Sequence, residues 1–210
     1  MTRFIKNEMA TGSLHAERGA SLIMVVIILT IVSILGIAGV QISMMSERGA
    51  RNDRDQQIAW QSAEAALMDA EIDMFGPGAS TRRASTFTPQ TNLNAFVSGC
   101  GASGNSVGLC AIVSTGKPAW LTVPFDLTGS AAATTEFGAF TGRSFAAGGV
   151  GIQPSKKPRY VIEAIPDQFG AGSTSRNLSA PDVKYLYRVT SIGFGPRDDI
   201  QAVLQMVYRN

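Results

Sequence analysis

Three hydrophobic patterns follow one another along the chain. From Ala20 to Val40 no residue is charged, and the next charge is Glu47. At ~1.5 Å of helical rise per residue, about 20 apolar residues span the ~30 Å hydrocarbon core of a bilayer. The run exceeds the ~7–15-residue apolar core of a cleavable secretory signal, and no small-x-small cleavage pattern follows it. Beyond it the composition shifts to Ala, Gln, Glu, Met and Leu, all good helix formers, with no proline before Pro77. One helix over residues 20–75 is predicted, on the order of 80 Å long. Gly76-Pro77-Gly78 stops it. Gly36, Gly39 and Gly49 are soft points, each costing up to ~1 kcal/mol relative to Ala. In the second half, 41–75, Trp60, Ala63, Leu67, Ala70 and Met74 recur at steps of three and four, an apolar stripe that suits a sheet. Glu64, Asp69, Glu71 and Asp73 lie mostly off it and read as a solvated acidic face.

The second pattern, over 76–155, has no period and is rich in Gly, Ser, Thr and Ala. Its short apolar runs "GLCAIVS" and "AWLTVPF" are candidate strands, and Trp120 a candidate core anchor. The third pattern, over 156–210, is strand-like. "RYVIEAI" (159–165), "KYLYRVTSIG" (184–193) and "IQAVLQMVY" (200–208) are rich in β-branched and aromatic residues. Tyr185, Tyr187, Val189 and Ser191 alternate with Leu186, Arg188, Thr190 and Ile192, as in a half-buried strand. "GFGPRDD" (193–199) joins the last two runs as a hairpin. A sheet with one apolar face then covers the stripe of the helix, which gives an α+β fold: a long N-terminal helix, membrane-spanning in its first half, packed on a C-terminal antiparallel sheet.

Totals change this picture little. The 210 residues, net charge +2, allow one modest exported domain and demand neither nucleic acid nor an acidic partner. Cys100 and Cys110, in "SGCGASGNSVGLC", suit a small loop closed by a disulfide; two free thiols are the alternative. The membrane segment ahead of them implies an oxidising compartment, which favours the bridge.

"RGASLIMVVIILT" resembles the class III leader junction of type IV pilins and pseudopilins. "SERGARNDRDQQIAWQSAEAAL" is similar to the helix of PilX-type minor pilins: an acidic-basic segment (Glu47-Arg48), an Asp-Arg pair (Asp53-Arg54), then an apolar-aromatic step from Trp60 into the "AEAAL" text ending at Leu67. "Y-x-V-T-x-x-G…V-L-Q" near the end also looks like the closing strands of that family. The resemblance implies a leader over 1–19, cleavage by prepilin peptidase between Gly19 and Ala20, N-methylation of Ala20, and a Gly19 that serves the peptidase. The mature helix then lies in the inner membrane, N-terminus inside as Arg3, Lys6 and Arg18 favour, with the C-terminal domain periplasmic until the subunit enters the cell-surface pilus. Met1 and Met9 are both candidate starts.

Most pilins carry Glu as the fifth mature residue; here Met24 stands in that place. A carboxylate in lipid is costly and is kept for a partner, so its loss suggests a subunit that does not dock under another in the ordinary way. Certain tip pseudopilins and many PilX-type proteins share this loss, and that resemblance implies a place at or near the pilus tip and a part in initiating assembly; drift in a plain anchor is the alternative. The expected partners are prepilin peptidase, other minor and major pilins, the inner-membrane assembly platform, and a large tip adhesin. A pseudopilin of a type II secretion system and a tip-exposed adhesive or DNA-contacting subunit are the rival readings.

Enzyme chemistry finds little footing. The one histidine, His15, lies in the expected leader, which removes Ser-His-Asp, Cys-His and His-based metal sites from the mature chain. "GNSVG" (104–108) lacks the context of a nucleophile elbow, and "GASGNSVG" (101–108) lacks the Lys-Ser/Thr of a phosphate loop. Asp198 and Asp199 are too few for a calcium site. No catalytic residue, metal or cofactor is expected. Arg82-Arg83 and "KKPR" (156–159) read as solvated surface; contact with DNA or a host surface is the alternative, though neither has interleaved aromatics for a stacking groove.

Overall fold

The computed structural model describes residues 20–76, 83–87, 91–149, 151–167 and 184–209. The expected leader with Gly19 and His15, both candidate starts, Pro77-Gly78 of the helix stop, and Arg82 lie outside the described residues. The chain divides into two units, Met1–Ala50 and Arg51–Asn210.

Helix α1 runs from Ala20 to Phe75, as the absence of proline and the helix-forming composition require. The three glycines do not interrupt it. Its part in the first unit is exposed throughout Ser21–Ala50, and from Ala20 to Val40 it is uncharged and apolar on every side.

In the second unit α1 packs on a sheet of five strands: β1 (Leu109–Cys110), β2 (Thr135–Glu136), β3 (Arg159–Pro166), β4 (Tyr185–Phe194) and β5 (Gln201–Arg209). The order is β1-β3-β4-β5, with β2 also on β3. β3, β4 and β5 are antiparallel and come from the three runs rich in β-branched and aromatic residues. β1 joins β3 in parallel and β2 joins it antiparallel, so the sheet is mixed. Both short strands come from the region without a period.

The core forms where Ala66, Leu67, Ala70 and Met74 of α1 meet Tyr160, Ile162 and Ala164 of β3 and Tyr187 and Val189 of β4. Short helix α2 (Ala84–Phe87) adds Phe87, whose ring stands edge-on to Tyr187 at 5.2 Å and to Phe96 at 6.2 Å. A second cluster, Cys100, Cys110, Ala119, Val123 and Val161, covers the far face of β3.

That far-face cover explains two departures from expectation. β4 alternates only at its start; from Val189 to Phe194 every residue is buried, because α1 lies against one face, at Ser191 and Gly193, and chain from the middle region covers the other, at Phe194. "AWLTVPF" forms no strand. Ala119–Thr122 is a turn of helix, α3, entered through Pro118 and closed by the Val123 amide on the Ala119 carbonyl at 2.9 Å. Trp120 is half-buried against the second cluster.

The helix stripe is also shifted. Ala59, Ala63, Ala66, Leu67, Ala70 and Met74 are buried, whereas Trp60 is 50% exposed and its indole N–H donates to Glu64 at 2.9 Å. Small residues win this face because the sheet comes close. A Cβ on Gly193 would collide with the Ala59 carbonyl and the Ala63 nitrogen. The Ser191 hydroxyl donates to the Ala63 carbonyl at 2.9 Å, and the Tyr208 hydroxyl to that of Leu67 at 3.3 Å. A tryptophan does not fit such a seam.

Candidate functional site

The residues singled out in the sequence fall at three places. The first is the apolar part of α1. Among the described residues one helix is long and apolar enough to cross a membrane, and none of its apolar window is buried by the chain. Its few polar side chains are satisfied within the helix: Thr30 donates to the Val26 carbonyl and Ser33 to that of Leu29, both at 2.7 Å. Hydroxyls bonded to their own helix in this way ask nothing of water, which suits a segment that lies in lipid or among other helices. Met24 stands on this surface, 69% exposed. Ala20 begins the helix.

The second place is the acidic side of α1, and here expectation fails in part. Glu64 and Glu71 are exposed, but Asp69 and Asp73 are fully buried. They are four residues apart, one helical turn, and each carboxylate holds a different piece of the middle region. Asp73 pairs with Arg83, whose Nε lies 3.1 Å from Oδ2 and whose second nitrogen approaches the same oxygen more closely still. The Tyr160 hydroxyl donates to Oδ2 as well, at 2.9 Å. Arg83 then reaches onward, donating to the carbonyls of Val107 at 2.5 Å and Asn105 at 3.1 Å. Its guanidinium also lies 3.9 Å from the centre of the Phe140 ring.

Arg83, expected as solvated surface, is therefore a buried joint between helix, sheet and the loop that Cys100 and Cys110 close. Those two sulfurs are bonded, with Cα atoms 4.0 Å apart. Burial and the Asp73 charge beside it push the Tyr160 phenol well above its ordinary range, so it remains a donor.

Asp69 accepts from the Gly138 amide at 2.8 Å and the Thr141 hydroxyl at 2.5 Å, and the Arg143 guanidinium lies 3.7 Å away. Burial raises its pKa, against the opposing pull of those partners. A carboxylate on a helix is normally exposed, and these two are exceptions that come with partners. Adjacency to the stripe does not single them out, because the exposed Glu64 and Glu71 adjoin Ala63 and Ala70 just as Asp69 adjoins Ala70 and Asp73 adjoins Met74.

The third place is the "KKPR" segment. Lys156 pairs with Asp198 at 2.9 Å and Lys157 with Glu136 at 3.0 Å. Arg159 is buried, contrary to expectation: its Nε donates to the Thr134 hydroxyl at 2.6 Å, and a terminal nitrogen meets Glu136 at 3.1 Å. Burial lowers its pKa, with Glu136 opposing. Phe125 and Phe194 join these cations in a cleft of about 250 Å³. Lys156 faces Asp198, while Lys157 and Arg159 share Glu136, so carboxylates offset most, though not all, of the positive charge a polynucleotide would grip. Asp199 pairs with Arg197 at 2.6 Å. Among the described residues no group of His, Cys, Asp or Glu is placed to hold a metal ion.

Comparison with known families gives two matches. The model described as type IV pilus assembly protein PilX C-term matches residues 47–210, and that described as PilX N-terminal matches residues 18–67. No curated protein and no solved structure matches the chain.

Proposed function

The chain belongs to the PilX family of type IV pilus assembly proteins, and from that premise we propose that it is a minor pilin cut by prepilin peptidase between Gly19 and Ala20, which primes pilus assembly from a place at or near the tip. The observation that carries the reading is the first part of α1. It is continuous from Ala20, apolar on every side, with the Thr30 and Ser33 hydroxyls bonded within the helix, and uncovered by its own chain. Such a segment has two stable homes, a bilayer and a bundle of like helices, and a subunit drawn from one into the other needs both. Before assembly the helix sits in the inner membrane with its N-terminus inside and the sheet domain in the periplasm. The second unit is structural, with the two buried aspartates of α1 fixing the loops of its exported face.

The tip position rests on Met24. A subunit in the body of the fibre uses a carboxylate there to meet a neighbour's terminal amine, and a thioether cannot. The experiment is mass spectrometry of the intact protein and its N-terminal peptide, from cells with and without prepilin peptidase. A peptidase-dependent start at Ala20 with one added methyl group is expected. An uncleaved N-terminus in cells that contain the peptidase would overturn the maturation step and the assembly mechanism built on it.

A further inference from the structure

We propose that the free edge of β5 is a strand-pairing surface, and that it takes an extended, uncharged, largely apolar strand from a neighbouring pilin-class subunit. The two edges of the sheet are treated differently by the fold. On the β3 side, β1 and β2 occupy the edge as two-residue strands, and very short strands are a usual way to blunt an edge. On the other side β5 pairs with β4 over its whole length, Gln201 to Arg209, in a register without a bulge. Among the described residues no strand pairs with its outer side; only at its start does the Gln56 side-chain amide reach the Gln201 carbonyl, at 3.5 Å.

The direction of the unpaired groups follows from the hairpin. The Gly195 amide donates to the Ile200 carbonyl at 2.8 Å. Antiparallel pairs alternate between hydrogen-bonded and not, so Gly193–Ala202, Ser191–Leu204 and Val189–Met206 are the bonded pairs. Val203, Gln205 and Val207 therefore aim their backbone N–H and C=O groups outward. The strand carries one protective charge, Arg209 at its end, which pairs with Asp167; from Ile200 to Tyr208 the chain has no charge and no proline. Val203 and Val207 on one face are 51% and 57% exposed, and Met206 on the other is 45% exposed.

A row of outward amides and carbonyls has one efficient complement, another strand, and the flanking valines and methionine ask that strand for apolar side chains. The choice of a pilin-class partner rests on membership of the PilX family, whose members work among other pilus subunits. A minor subunit meets other pilins more often than its own copies. The inference does not rest on the tip position or on cleavage at Gly19, so failure of either reading leaves the other open to its own test.

The test places a photoreactive benzoylphenylalanine at Val203 or Val207 of the full chain in its own cells, with Leu121, 54% exposed on α3, as the control site. Irradiation at Val203 and Val207 is expected to give adducts whose partner peptide belongs to another pilin subunit, with no such adduct from Leu121. Two variants then probe the edge with the photoprobe at Val207. Gln205→Pro removes an outward N–H while sparing the ladder to β4, and Val203→Lys adds a charge without touching the backbone. Each is expected to lower adduct yield by about tenfold or more at unchanged protein level, the equivalent of one or two lost hydrogen bonds. Adducts only with a second copy of this chain, only with a protein that is not a pilin, or with nothing would overturn the proposal. So would unchanged yield in both variants.

Discussion

Asp73 of α1 and Arg83 form an ion pair in which neither side chain has any exposed surface. The pair is completed by the Tyr160 hydroxyl on one side and by the Asn105 and Val107 carbonyls on the other. Helix, strand and disulfide loop thus share one charge-balanced joint. In such a joint the attraction between partners roughly repays the desolvation of both, so its presence adds little net stability, but loss of one partner strands the other charge.

Arg83→Met should therefore destabilise the second unit by about 3–5 kcal/mol, leaving Asp73 buried and unpaired. The double variant Asp73→Leu/Arg83→Met should recover a large part of that loss. Thermal or denaturant unfolding of the full chain in detergent, followed by tryptophan fluorescence, reads both. Equal losses in the single and double variants would show that the two charges are not coupled.

This joint is also where the sequence was least legible. Strands β3, β4 and β5 could be placed because β-branched and aromatic residues gather there, and α1 because nothing breaks its run. Nothing in the sequence sets Asp69 and Asp73 apart from solvated residues, because a carboxylate on a helix usually is one. Their partners, Arg83, Gly138 and Thr141, come from a stretch with no period, so no pattern linked them to the helix. Trp60 misled for a related reason. It has the right spacing for the stripe, yet the close approach of Gly193 admits only small residues such as Ala59 and Ala63. Periodicity shows which face of a helix is apolar; how near the sheet comes depends on glycines and serines far along the chain.

Asp69 gives a pH dependence with a definite sign. Burial holds its pKa above the ordinary carboxylate value, so the folded state binds the proton more tightly than the unfolded state does. Its contribution to stability is fully present below the unfolded value, near ~3.9, and is lost as the pH rises through the raised folded value. Asp69→Asn has no titration at this site. The stability of the wild type relative to this variant should thus fall as pH rises from about 4 and then level off. Melting temperatures of the two proteins in detergent across that range supply the measurement. A difference that grows in favour of the wild type with rising pH would mean that Gly138, Thr141 and Arg143 outweigh burial.

The Cys100–Cys110 bond closes a loop whose ends are ten residues apart in sequence. In the chain-entropy account, closing a loop of this size contributes about 2–3 kcal/mol. The loop is also held by Arg83 through its Asn105 and Val107 carbonyls, and its strand Leu109–Cys110 pairs with β3. The Cys100→Ser/Cys110→Ser variant should accordingly fold, with a lower melting temperature, and keep the β1–β3 pairing. Amide hydrogen exchange at Ile162, which donates to the Gly108 carbonyl at 2.8 Å, reports on that pairing. Loss of protection at Ile162 alongside intact β4–β5 protection would assign the loop's order to the disulfide alone.

Gly193 tests the seam between helix and sheet directly. Its backbone lies against Ala59, Ser62 and Ala63 of α1, one residue from Phe194 and two from Ser191, whose hydroxyl is spent on the Ala63 carbonyl. A methyl group at position 193 meets backbone atoms, which cannot turn aside as a side chain can, so the helix must move off the sheet. Overpacking of this kind costs about 1–3 kcal/mol, and Gly193→Ala belongs at the upper end because backbone is what it strikes. The displacement would also lengthen the Ser191–Ala63 and Tyr208–Leu67 hydrogen bonds. Burial, with Glu71 nearby, pushes the Tyr208 phenol up to about 12. Lifting the helix should bring that value back toward the ordinary phenol range. A spectrophotometric titration of Gly193→Ala against the wild type therefore distinguishes a displaced helix from a merely strained one. A lowered melting temperature with the Tyr208 titration moved down is expected; a lowered melting temperature with that titration unchanged would place the strain in β4 and leave the seam intact.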